Sequence, residues 1–259
     1  RENQYRQGRQ NISGIFNFPR ARGKYIALMD CDDYWCNPGK LAAQVSYLEA
    51  HPDCAMTVHA AEVKNDRGEL VNRNLMRPYR GDRDLSPAEL IDKTGSFPFG
   101  AMLLRREVVE KLPDWYFRCP VGDRPLELLA ALKGYCHYAD RFDSVYRFHG
   151  AGSWTEEMKS GDFKKKQDAY AIAMRELYRA FDRESGGRYH RAAVSAARRV
   201  YFLTRVNLRD YDEIFSPRYR RYYRELSLRD RGFIRAERTL PFLFAGLRRL
   251  RDRIFRQEG

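Results

Sequence analysis

The 259-residue sequence has no apolar run approaching the roughly 18 residues that a membrane span needs; its longest candidate is Leu240 to Leu247 (LPFLFAGL). Cysteine is sparse: five residues with no regular spacing, which excludes a disulfide framework and leads us to expect reduced thiols. There are no internal repeats, and neither a signal peptide nor a transit segment is visible. The opening RENQYRQGRQN begins at Arg1 with no strand ahead of it, so we expect a chain that starts partway into a domain. What is present is a normal apolar content, 43% hydrophobic and 14% aromatic, enough for a core and against wholesale disorder.

The formal net charge of +13 is unevenly placed. Residues 1–155 hold 22 basic and 20 acidic side chains, and residues 156–259 hold 26 and 15. A basic tract attracts nucleic acid, an anionic membrane surface or an acidic partner, and does not by itself choose among them.

Hydrophobic spacing divides the chain at the same place. Ile12, Ile15 and Phe16 predict a short helix over 8–19. KYIALM (24–29) reads as a buried strand. Asn37-Pro38 opens a helix to about Ala50 with Leu41, Val45 and Leu48 on one face. Cys54 to Val63 predicts a second strand, Asn65-Asp66-Arg67-Gly68 a hairpin turn and Ser86-Pro87-Ala88-Glu89 a helix start. Ala101 to Leu104 is a further short strand, followed by a helix near 105–112. Asp123 starts a helix that stops at Gly134, and Tyr135 to Phe148 is strand and loop. Alternating elements of this length indicate an α/β layer structure. Beyond Trp154 strand signals vanish, and 162–183, 187–207 and 236–256 have helical apolar spacing. The expected domains are therefore 1–155 and a basic helical extension, 156–259.

The sharpest chemical signal is an apolar strand running into Asp30-Cys31-Asp32-Asp33. Three carboxylates within four residues repel one another unless something compensates, and strand ends are where open α/β sheets place ligands. On a strand, Asp30 and Asp32 point the same way and can hold a hard divalent cation through oxygen. The plainer alternative is a solvated acidic turn that caps the next helix. Asp123 has a similar pair of readings: a positioned carboxylate, or the N-cap of its own helix.

ARGKYIALMDCDDYW (21–35), followed by Pro38, Lys40-Leu41, Gln44-Val45, Leu48-Glu49 and His51-Pro52, closely resembles the central motif of family 2 glycosyltransferases; Glu2-Asn3-Gln4-Tyr5 and Gly8 look like the segment that precedes it in one bacterial branch. The resemblance covers roughly 1–155. It implies an α/β fold of GT-A type, a Rossmann-like sheet that binds a nucleotide-sugar, here N-terminally truncated and followed by an α-helical C-terminal extension. It further implies Mg²⁺ or Mn²⁺ held by the Asp-x-Asp pair and bridging the diphosphate of a UDP-, GDP- or dTDP-sugar. Asp32 would ligate the metal, Asp30 would lie near the ribose or the metal, and Asp33 would be a neighbouring carboxylate. Val121-Gly122-Asp123-Arg124-Pro125-Leu126 fits the place of the family's general base, with Asp114 and Glu127 as weaker alternatives. Val145-Tyr146-Arg147-Phe148-His149 resembles the family's YRxH element, making His149 a candidate metal ligand and Arg147 a candidate contact to the diphosphate. His51, His59, His137 and His190 have no such context and are expected to be structural, and Phe97 and Phe99 to be core.

The reading that follows is a bacterial, metal-dependent, inverting glycosyltransferase acting on a glycan or lipid-linked acceptor in surface polysaccharide synthesis. It would be cytoplasmic or peripheral on the inner face of the membrane, touching anionic lipid through 156–259. The alternatives are an inactive remnant or interaction module, motivated by the missing first strand, and a basic nucleic-acid-binding protein, which nothing in 1–155 supports.

Overall fold

The computed structural model of the chain describes residues 11–148 and 154–240, together with Phe242. His149 and most of the helix expected over 236–256 lie outside the described residues. The chain forms two compact units that divide between Ala197 and Arg198.

The first unit opens with α1 (Ile12–Phe16) and a 3-10 turn, then β1 (Tyr25–Ala27), β2 (Tyr34–Trp35), α2 (Lys40–Ala50), β3 (Cys54–Lys64), β4 (Arg83–Leu85), α3 (Pro87–Ile91) and β5 (Leu103–Arg105). It continues with α4 (Asp114–Arg118), α5 (Asp123–Lys133), β6 (Tyr135–Arg147), α6 (Trp154–Lys159) and α7 (Phe163–Glu184). The six strands form one mixed sheet in the order β1-β5-β3-β6-β2, with β4 also paired to β6. The β3–β6 pair is parallel and the other pairings are antiparallel. This is the α/β architecture expected from the alternating pattern.

Local sequence explains most boundaries. Ser86 and Glu89 form a reciprocal capping box with Pro87 in the first turn, which starts α3. The Asn37 carboxamide oxygen accepts from the Gly39 amide at 2.9 Å and leads into α2. β3 is buried on both faces along most of its length, as a central strand must be. Leu48, Met56 and Val58 are almost wholly excluded from water, and such side chains contribute about 1.5–3 kcal/mol each. Gly134 ends α5 because a Cβ there would collide with the Asp53 carbonyl as β6 begins.

Three expectations differ from what is observed. The helix near 105–112 is only a 3-10 turn, Arg106–Val108; Pro113 disfavours helical geometry before it, and Val108 and Val109 are buried without a longer helix. The strand expected over 24–29 stops at Ala27. The compact division falls some forty residues beyond the boundary expected at 155, because α7 packs with the sheet domain: Trp115 of α4 meets Phe181 of α7 edge-on at 6.4 Å.

The second unit contains the end of α8 (His190–Leu208), then α9 (Tyr211–Ile214), α10 (Arg220–Glu225) and α11 (Leu228–Thr239). Its core is Phe202, Ile214, Tyr219, Tyr222, Tyr223 and Ile234. No described helix is long and apolar enough to cross a membrane.

Candidate active site

The acidic loop is built by the sheet. The Leu28 amide donates to the Met102 carbonyl at 3.2 Å, and the chain then leaves β1. A turn closed by the Asp33 amide on the Asp30 carbonyl, 3.2 Å, returns it to β2, which pairs Tyr34 with Val145 and Trp35 with Ser144 of β6. Residues 30–33 are thus a turn, so the strand alternation invoked for Asp30 and Asp32 does not apply. Asp33 Oδ1 accepts the Arg147 amide at 2.9 Å, tying the loop to the end of β6. The Arg147 guanidinium lies over the Tyr34 ring, 5.8 Å from its centroid.

Asp123 reaches the same place from the other side. It is the first residue of α5, with Gly122 as N-cap, and its Oδ1 accepts the Arg124 amide at 2.7 Å. It therefore sits inside the first turn and is not the N-cap. Desolvation, then repulsion from Asp33, Asp32 and Asp123, raises Asp30 to about 6 although it keeps contact with solvent. Asp33 is also raised to about 6, by burial and by Asp32, against the pull of the Arg147 amide and charge. Burial and Glu127 raise Asp123, while the Arg124 amide, Lys93 and Arg124 oppose the shift. Asp30 thus feels Asp33, Asp32 and, most weakly, Asp123, which relates the acidic loop to the start of α5.

Asp30, Asp32 and Asp33 offer only oxygen donors and an excess of negative charge, the chemistry that suits a hard divalent cation. Among the described residues no three His, Cys, Asp or Glu side chains are already gathered as a metal-binding group. Glu127, an alternative base, is buried against Lys93 and Arg124. Asp114 lies in the first turn of α4. His51 stacks on Tyr47 at 4.0 Å, His137 stacks on the same ring at 3.6 Å, and His190 contacts Asp182 at 2.7 Å. His59 and Phe97 are buried, and Phe99 is half-buried.

Trp35, Lys40 and Gln44 stand in the motif, but their supporting roles are not readable from it, and Asn11 carries no sequence signal. Trp35 Nε1 donates to the Gly100 carbonyl at 2.8 Å, and Gln44 Nε2 donates to the Ala101 carbonyl at 2.9 Å. These bonds hold the 99–101 turn beside the acidic loop; a Cβ on Gly100 would crowd Met29 at 3.2 Å and come within 4.0 Å of Asp33. Lys40, almost wholly buried, sits 4.3 Å from the Trp35 ring centroid and donates to Gln44 at 2.8 Å. The i, i+4 pair Lys40 and Gln44 on an otherwise apolar helix face was the available signal. Asn11, in a left-handed conformation with φ 49°, donates to the carbonyls of Tyr116 and Cys119 at 2.6 and 2.9 Å and fastens the segment before Asp123.

Residues 6–113 match the family model described as glycosyl transferase family 2. Uncharacterized proteins of Mycobacterium bovis and Mycobacterium tuberculosis are 30% identical over 140 residues, covering 52% of this chain and 37% of theirs. The chain therefore spans little more than a third of the length of these relatives. The acidic loop at its strand end lies inside the matched segment, so residues 6–113 are similar to glycosyl transferase family 2.

Proposed function

We propose that the first unit is a metal-dependent, inverting glycosyltransferase that moves a sugar from a nucleoside-diphosphate donor to an acceptor hydroxyl. The observation that carries this reading is the convergence of Asp30, Asp32 and Asp33 at the end of β1 with Asp123 at the start of α5. Asp30 and Asp32 would hold Mg²⁺ or Mn²⁺, which supplies positive charge for the departing diphosphate. Arg147 would add a fixed cation beside it, and His149 is a further candidate ligand.

Asp123 would accept the proton of the acceptor hydroxyl as its oxygen bonds to the anomeric carbon. The bond from that carbon to the diphosphate oxygen breaks with its electron pair leaving on the diphosphate, and attack from the opposite face inverts the centre. A carboxylate raised above its ordinary range is a better base near neutral pH than a free aspartate. The expected donors are UDP-, GDP- or dTDP-sugars, and the expected acceptor is a glycan or lipid-linked glycan of bacterial surface polysaccharide.

Titration of the protein with UDP and Mn²⁺ tests donor binding. Asp32→Ala should abolish metal-dependent binding and transfer, and unchanged activity would remove the metal role. Asp123→Asn should lose transfer while donor binding stays.

The reading places the reaction at the cytoplasmic face of a membrane. Leu228 is 80% exposed and Phe242 89% exposed, and Arg218, Arg220, Arg221 and Arg224 are exposed in the same unit. Exposed apolar groups among arginines suit an anionic bilayer surface better than a nucleic-acid backbone. Flotation with phosphatidylglycerol vesicles but not phosphatidylcholine vesicles is expected, and binding indifferent to lipid charge would count against it.

A further inference from the structure

The side chain next to Asp123 is a heavily anchored cation. Arg124 is only 9% exposed. Its Nε donates to the Tyr178 hydroxyl at 2.7 Å. One terminal nitrogen donates to the Leu90 carbonyl at 3.1 Å and to Glu127 at 2.5 Å, and the other donates to the Ile91 carbonyl. Leu90 and Ile91 end α3, where carbonyls have no partner within their own helix. The guanidinium thus joins three elements, α3, α5 and α7, at one point. Lys93 completes the set, 3.2 Å from the other oxygen of Glu127.

Burying these ions is costly, and an apolar cluster of equal volume would pack the helices without that cost. What the ions add is directional. A planar fork with five donors fixes the first turn of α5 about its own axis, which a point charge or an apolar side chain does not do. The backbone amide of the same Arg124 donates to the Asp123 carboxylate. Any rotation of that turn therefore carries the carboxylate with it.

We propose that Arg124 is a positioning residue for Asp123 and that, through Tyr178, it makes α7 part of the working site. Tyr178 lies 65 residues beyond the segment that matches the family model, so this extends the site into the chain's helical part. The role stated for Asp123 rests on its reading as the base; the anchoring of its turn does not. The ionisable groups facing Asp123 are Asp30 from the loop after β1, Lys93 after α3, Cys119 before α5, Arg124 and Glu127 on α5, and Tyr170 on α7.

Three variants of the full chain test this: Arg124→Met, Arg124→Lys and Tyr178→Phe. Arg124→Met leaves Glu127 paired with Lys93, so no buried carboxylate is orphaned. Tyr178→Phe removes only a hydroxyl and serves if Arg124→Met does not fold. The first readout needs no substrate. In protein labelled with ¹³C at aspartate carboxyls, with Asp123 assigned by Asp123→Asn, the Asp123 midpoint should rise in Arg124→Met, because a neighbouring cation is lost. It should move less in Tyr178→Phe, while Asp140, held by Arg77, stays fixed.

The second readout is turnover of a panel of UDP-, GDP- and dTDP-hexoses with Mn²⁺. In Arg124→Met kcat should fall about tenfold with donor KM unchanged, and the acid limb of the kcat profile should move to higher pH. Arg124→Lys should not restore it. If the wild type turns over no donor, the base reading falls and the carboxyl titration alone decides the anchoring. An Asp123 midpoint and kcat both unmoved in folded Arg124→Met, or in Tyr178→Phe where that variant stands in, would overturn the proposal.

Discussion

The two units handle charge in opposite ways. In the first, negative charge is concentrated in one turn, and the carboxylates of Asp30 and Asp33 are left crowded enough to be raised to about 6. In the second, positive charge is abundant, and part of it is taken up by aromatic rings and carboxylates of the fold. Arg205 lies 4.8 Å from the Tyr201 ring, Arg238 4.6 Å from Phe215, Arg218 5.5 Å from Tyr219 and Arg235 5.8 Å from Tyr223. Arg199 pairs with Glu225 at 2.8 Å and Arg209 with Glu237 at 2.8 Å. Arginine here lies over tyrosine and phenylalanine rings and covers apolar surface, as aliphatic side chains do in the sheet. The size of a charge excess therefore says little about where chemistry happens; charge that the fold leaves uncompensated says more.

The comparison can be broken most sharply at the acidic loop. Asp30→Asn should cost about 100-fold or more in metal-dependent transfer. The same change should raise stability by roughly 0.5 kcal/mol, kept small by solvent screening. A thermal melt run beside the activity assay checks both, and a loss of stability would mean that the carboxylate is structural.

The second unit should behave in the reverse manner. Tyr222→Ala, at a ring 5% exposed within the arginine-aromatic cluster, should cost about 3 kcal/mol in denaturant unfolding. Donor titration at the first unit should remain as in the wild type.

Lys40 is a strongly buried cation close to the loop. Burial lowers it from 10.5 to about 8, so between those values the unfolded chain binds more protons than the folded one. Stability should therefore rise with pH across this window, by on the order of 3 kcal/mol. Buried tyrosines act in the opposite sense at higher pH, so the measurement is the difference between wild type and Lys40→Met. A flat difference from pH 8 to 10.5 would show that Lys40 is not desolvated as described. The smallest effect belongs to the exposed pair Lys24–Glu49: Lys24→Ala should leave the melting temperature within experimental error.

Much of the fold was legible because local signals and burial agree. The capping box at Ser86 and Glu89, the apolar run of β3 and the Gly134 stop each fix an element with little outside help. The acidic cluster and Asp123 were legible as residue types, and their proximity required the structure. Asp30 and Asp32 were read as strand neighbours because KYIALM is apolar to its end, whereas the chain leaves the sheet after Leu28. The placement of α7 was not legible. Its attachment depends on Trp115 meeting Phe181 and Arg124 meeting Tyr178, pairings separated by more than fifty residues that leave no periodic trace. The contribution of Trp35 and Gln44 was hidden for the same reason, since both act on backbone carbonyls of residues 100 and 101.

The parallel pairing of β3 with β6 also bears on how the chain reaches this structure. Cys54 finds Tyr135 and Lys64 finds Arg147, so the middle of the sheet closes only after about eighty intervening residues are brought together. Helices α2 and α7 need no such closure and can form early, while long-range parallel pairing is slow. Refolding should therefore pass through a stage with helices in place and an open sheet. In pulse-labelled hydrogen exchange the amides of β3 and β6 should be the last to gain protection, and a nascent chain released before Arg147 would lack the strand on which its own core depends.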